Sequence, residues 1–139
     1  MRILRNVAVV AAMGLATSIT AAPATASADQ YLVARCKDGN FGIEITARYR
    51  TSGTHHLFNQ LSWRIAGNVG SKNTVRFYFM QDARPDIVFK AFNYQGGRTG
   101  SRNVWVMRPK AHQVFVRFGA RFDTSASSGP GCTYQTRGI

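Results

Sequence analysis

The chain has 139 residues and carries 18 lysines and arginines against 6 aspartates and glutamates, a formal net charge of +12. That length holds one domain and excludes a second of ordinary size, while 45% apolar residues suffice for a core. The charge says nothing about the fold; it selects partners, favouring nucleic acid, anionic lipid headgroups or acidic polymers over cationic ones.

The chain opens MRILRNVAVVAAMGLATSITAAPATASADQ. Arg2 and Arg5 form a basic start, Val7 to Ile19 is apolar and uncharged, and small residues lead to Ala26-Ser27-Ala28. This is the pattern of a secretory signal peptide with an A-x-A cleavage site. A cut after Ala26 would use Ala24-Thr25-Ala26 in the same way. The apolar run is shorter than the roughly 20 residues a spanning helix needs, and no later segment is apolar enough to cross a bilayer. The expectation is a cleaved signal peptide over residues 1–28 and a single secreted, extracellular β domain over 29–139, without stable membrane insertion. Loss of Arg2 and Arg5 leaves sixteen basic against six acidic residues, a net +10 on 111 residues.

The two cysteines, Cys36 and Cys132, lie near the two ends of that domain. An oxidising compartment and an even count predict one disulfide. It would close a loop of roughly 95 residues and contribute about 4 to 5 kcal/mol through the entropy of the unfolded chain. No CxxC spacing and no nearby histidine support zinc or a catalytic thiol, so no metal and no cofactor are expected.

Period-two alternation, the signature of half-buried strands, recurs along the rest of the chain. Short strands are expected at Tyr31 to Cys36, Asn103 to Arg108 and Cys132 to Thr136. In FGIEITARYR, Phe41, Ile43, Ile45, Ala47 and Tyr49 share one face. In LFNQLSWRI, Leu57, Leu61, Trp63 and Ile65 oppose Phe58, Gln60, Ser62 and Arg64. TVRFYFM sets Val75, Phe77 and Phe79 against Arg76, Tyr78 and Met80. DIVFKAF sets Ile87, Phe89 and Ala91 against Val88, Lys90 and Phe92. HQVFVRFGARFD sets Val114, Val116, Phe118, Ala120 and Phe122 against Phe115, Arg117, Gly119 and Arg121. Each intervening segment, from KDGN to SASSGPG, holds Gly, Pro, Asn, Asp or Ser, the turn formers.

Seven or eight such strands predict an all-β fold, a single antiparallel β-sandwich, loosely immunoglobulin-like, with a small closed β-barrel as the alternative. Alternation within the strands argues against a parallel sheet covered on both faces. Cys36, Trp63 and Cys132 echo the immunoglobulin trio. In those domains, however, the cysteines lie on inner strands; here they bracket nearly the whole chain, so only the architecture carries over.

Adjacent His55 and His56 in RYRTSGTHHLFNQ raise the question of a metal or an acid/base pair. Successive strand residues point to opposite faces, and no H-x-H, HExxH or HxxxH spacing is present, so a polar turn is expected. A nuclease-like set of Glu44 as base, His55 or His112 as acid and Arg48 for phosphate would be chemically reasonable, and no spacing selects it.

The polar strand faces carry the stronger signal. Arg48, Arg50, Arg76, Lys90, Arg117 and Arg121 alternate there with aromatics that include Phe115, and cations interleaved with rings build platforms for single strands and sugars. The glycine-rich NYQGGRTGSR adds Arg98 and Arg102 in what reads as a flexible loop able to offer N–H groups to an anion; it lacks the lysine and helix of a P-loop. The expected binding residues are therefore Arg48, Arg50, Arg76, Lys90, Arg98, Arg102, Phe115, Arg117 and Arg121. The expected activity is non-catalytic recognition of an anionic polymer, glycan or cell-surface component. A small secreted nuclease, and a module that binds another protein through an exposed loop, are the alternatives.

Overall fold

The computed structural model describes residues 27–126 and 129–139. The expected signal peptide lies outside these residues except for Ser27 and Ala28. The described residues form eight strands: β1 (Gln30–Asp38), β2 (Phe41–Ser52), β3 (His55–Ala66), β4 (Asn73–Gln81), β5 (Ile87–Gly96), β6 (Thr99–Pro109), β7 (Val114–Arg121) and β8 (Gly131–Gln135). They make two four-stranded antiparallel sheets, β1-β2-β3-β6 and β5-β4-β7-β8. The architecture is a β-sandwich with open edges and not a closed barrel. No helix among the described residues is long and apolar enough to cross a membrane.

The alternation seen in the sequence fills the space between the sheets. Ile43, Ile45 and Ala47 of β2 and Phe58, Leu61 and Trp63 of β3 face Val75, Phe77 and Phe79 of β4 and Val114, Val116 and Phe118 of β7. Phe58 and Phe79 meet edge to face across the sandwich at 4.8 Å. Each fully buried aromatic or aliphatic side chain in this layer contributes about 1.5–3 kcal/mol. Two left-handed glycines, Gly39 and Gly53, make the tight β1–β2 and β2–β3 turns, a conformation that costs glycine nothing.

The sandwich treats its two lateral sides differently. On one side the edge strands β1 and β8 are joined by the Cys36–Cys132 disulfide, with Cα atoms 6.0 Å apart. On the other side β5 and β6 end their sheets without a comparable closure, touching each other little.

Three sequence expectations differ from the structure, each for a local reason. In β3 the register shifts between Phe58 and Gln60, so Phe58 points into the core, fully buried, and Leu57 points to the outer face. In β5 a shift opposite Phe79 and Met80 brings both Phe89 and Phe92 against the core. Strict period two cannot survive a bulge, which adds one residue and flips the phase. The glycine-rich segment is also not a long loop. β5 runs to Gly96 and β6 starts at Thr99, leaving only Gly97 and Arg98 to cross between the sheets. Gly100 lies inside β6 because the Trp63 ring lies where its Cβ would be.

Candidate functional site

The open β5–β6 side forms a seam lined by rings and cations. β3 supplies Trp63, and β5 supplies Phe89, Phe92 and Tyr94. Trp63 and Tyr94 stack at 5.6 Å with planes 13° apart, and Tyr94 and Phe92 stack at 6.1 Å and 10°. Phe89 continues the row against Phe79 at 6.2 Å. Rings two apart on one strand share a face; the bulge in β5 adds Phe89 to that face.

Each ring lies beneath a cation. The Arg102 guanidinium is 5.6 Å from the Tyr94 ring and 5.8 Å from Trp63. The Lys90 ammonium is 5.6 Å from Phe92, and the Arg108 guanidinium is 3.9 Å from Phe89. Such contacts contribute about 0.5–2 kcal/mol each and hold the charge over an apolar floor. Arg102 and Arg108 are six residues apart on one strand, about 20 Å at the strand rise.

These cations lack carboxylate partners among the described residues. Five of the six acidic side chains are engaged elsewhere: Glu44 with Arg35, Asp29 with Arg48 at 3.7 Å, and Asp86 with Arg117 at 3.4 Å. Asp38 accepts the Gly131 N–H, and Asp123 the Lys72 N–H. Arg102 donates only to the Ser101 carbonyl, at 2.8 Å, and the Arg108 Nε is buried with no hydrogen-bond partner. Burial pushes the Tyr94 hydroxyl above the ordinary tyrosine value, an effect the Arg102 charge opposes. Tyr94 is therefore a neutral hydroxyl at physiological pH.

One end of the seam is fixed by the chain crossing between the sheets. The Trp63 indole Nε1 reaches the Gly97 carbonyl at 3.5 Å, and the Ile65 N–H donates to the Arg98 carbonyl at 2.6 Å. Buried Asn73 donates to the carbonyls of Gly70 and Gly96 and accepts from the Asp123 N–H, tying the β5 end to two other loops.

The structure divides the expected binding residues among three places. Lys90, Arg98 and Arg102 belong to the seam and its end turn. Arg48 and Arg50 lie on the outer face of the β1-β2-β3-β6 sheet. Arg76, Arg117 and Arg121 lie on the outer face of the other sheet, where Arg76 pairs across to Gly119 and Tyr78 to Arg117. Arg76 and Arg121 line one depression of about 330 Å³ at Gly119. Phe115 is largely buried, with the Arg117 guanidinium 5.7 Å from its ring, so the ring offers no open face. A depression of about 1080 Å³ lies on the disulfide side and includes Arg35, Arg117 and Arg137, of which Arg35 and Arg117 are already paired with Glu44 and Asp86.

Sequence reasoning missed Arg108, Trp63 and Phe89 as parts of a site. Each looked like core or solvated strand, and only sheet membership brings them together. The useful signal was the glycine at position 100, whose missing side chain makes room for Trp63.

His55 and His56 make separate contacts, and His55 lies far from Glu44. His55 meets the Thr54 hydroxyl at 3.0 Å, whereas buried His56 meets Thr51 at 3.1 Å. Burial, and secondarily the Lys110 charge, hold His56 below the ordinary histidine value. His55 pairs with Ser52 on β2, eight residues and about 26 Å along the strand from Glu44. His112 lies in the β6–β7 turn, against the Gln81 side chain at 3.3 Å. Among the described residues no group of three or more His, Cys, Asp or Glu could hold a metal ion.

No family model matches this chain, and no curated protein or solved structure matches it significantly.

Proposed function

We propose that this protein is a secreted, non-catalytic binding protein that takes an anionic chain along the β5–β6 seam. The observation that carries the reading is the row of four rings under three cations with no carboxylate partner among the described residues. An arginine or lysine resting on a ring is partly desolvated and keeps its donors available, a good state for receiving carboxylate, sulfate or phosphate. The nuclease reading loses ground because its base, acid and phosphate-binding groups are not brought together.

Both tryptophans of the chain, Trp63 and Trp105, lie on or beside the seam, so their emission reports occupancy. The test titrates polyglutamate, heparin and polyphosphate at increasing salt. Lys90→Glu with Arg102→Glu should weaken binding at least about tenfold, or about 1.4 kcal/mol. Arg76→Glu with Arg121→Glu makes the same change in net charge on the outer face and should have a smaller effect. Equal losses from the two pairs would reduce the basic charge to a non-specific attraction and remove the seam as the site.

A further inference from the structure

We infer that the occupant of the seam is an extended acidic segment of another polypeptide, added as a strand to the unpaired edge of β6. This rests on the proposed anion-binding reading and goes beyond it, because a strand uses the backbone as well as the charges. β6 is 11 residues long and pairs with β3 on one side only. Its other edge offers a row of backbone donors and acceptors, the template for strand addition.

The two faces of β6 specify the partner. Inward lie Arg102, buried Val104 and Val106, and Arg108; outward lie Trp105 and Met107, 68% and 54% exposed. A neighbouring strand places its own alternate side chains beside these. The complementary segment therefore carries carboxylates six residues apart, apolar residues between them on the inward face, and apolar or aromatic residues outward. Tryptophan and methionine exposed side by side are the residue types enriched at interface centres.

The same charges exclude other occupants. Charges turned inward at an edge strand prevent sheet-to-sheet aggregation. A second copy of β6 would set arginines among arginines on domains of the same sign, and like charges opposite one another destabilise a pair. An acidic strand meets no such penalty. A register shift falls in both edge strands, at Phe89 in β5 and at Val104 and Trp105 in β6, so the preference for β6 rests on its inward arginines and on exposed Trp105 and Met107.

The test uses a synthetic 11-residue peptide, the length of β6, with glutamates six apart and valines and a tyrosine at the remaining seam-facing and outward positions. Two further versions carry N-methyl groups on alternate residues, one set on the odd and one on the even positions. In strand pairing only one set of N–H groups faces β6. One methylated peptide should lose at least about tenfold in affinity, about 1.4 kcal/mol, and the other should bind as before. Trp105→Ser should weaken the unmodified peptide by a similar factor. If polyglutamate binds but the two methylated peptides behave alike, strand addition is overturned and anion binding survives. Selective methylation with full binding to Trp105→Ser would move the strand to another edge and overturn the assignment to β6. A concentration-dependent dimer that the peptide fails to dissolve would make a second copy the occupant and overturn the proposal. If no anionic probe binds at all, the function proposed above falls together with it.

Discussion

Replacing both Cys36 and Cys132 with alanine should remove about a third to nearly all of the stability of this domain. The bond joins residues 96 positions apart, so its loss returns to the unfolded chain the entropy of nearly its whole length. The loop-closure relation gives about 4.7 kcal/mol at 25 °C for that length. Domains of this size have about 5–15 kcal/mol in total. With an unfolding entropy near 2.1 cal/mol/K per residue over the 111 residues from Asp29, the midpoint should fall by about 20 °C. The folded state loses little, because Cys36 still pairs across to Ile43 and Cys132 to Ala120. Urea unfolding of the oxidised protein and the double variant, with calorimetry of both, measures the difference. A loss under about 2 kcal/mol would refute the reasoning; it would mean that the unfolded chain already holds its ends together. The seam is on the opposite side of the sandwich, so the folded double variant should bind anionic probes as the parent does.

Gly100→Val should displace the Trp63 ring, whose atoms occupy the position of the new side chain; a loss of about 1–3 kcal/mol is expected, with a red shift in tryptophan emission and weaker anion binding. Arg108→Met keeps a long apolar stem over Phe89 and removes a buried donor with no partner, a deficit of about 1–3 kcal/mol; calorimetry should show unchanged or higher stability, while titration shows weaker anion binding. His56 is held below the ordinary value of 6.5, so the unfolded state binds the proton more readily. Its contribution is complete above pH 6.5 and is lost as the pH falls through the lower folded value; urea midpoints measured from pH 8 to pH 4 should drop more steeply for the parent than for His56→Phe.

The strand framework was readable because period two depends only on neighbours. Ile43, Ile45 and Ala47, or Val114, Val116 and Phe118, declare their inward face without reference to anything distant. The pattern failed where a bulge changed the phase, at Phe58 in β3 and at Phe89 in β5. A bulge is set by what the partner strand does, and the partner is not adjacent in sequence. The disulfide was readable from the cysteine count and the expected compartment. The site was not, because Trp63, Phe92, Arg102 and Arg108 converge only when β5 and β6 are assigned to opposite sheets and to the same lateral side. Arg76 and Arg102 look alike in the sequence; one faces water on an outer sheet surface and the other rests on two rings. Glycine misled in one place: Gly96, Gly97 and Gly100 read as a flexible loop, yet Gly96 and Gly100 lie within strands and Gly100 makes room for an indole.

The asymmetry of the two sides gives the seam its meaning. A sandwich has four edge strands, and each edge that is long and unpaired invites association. On one side the chain solves this covalently, through Cys36 and Cys132. On the other side an apolar residue at position 108 would pack on Phe89 and leave no orphaned Nε. Instead the chain carries arginines at both ends of the inward face of β6 and leaves Trp105 and Met107 uncovered outside it. Inward charges alone would serve to keep the edge single. Exposed anchors alone would invite any strand. Together they repel further copies of the same basic domain and penalise neutral strands, which would bury the charges unpaired, while an acidic strand relieves the unpaired donors and covers the apolar residues at once. Discrimination of this kind requires a repulsive element as well as an attractive one, and β6 carries both within seven residues, from Arg102 to Arg108.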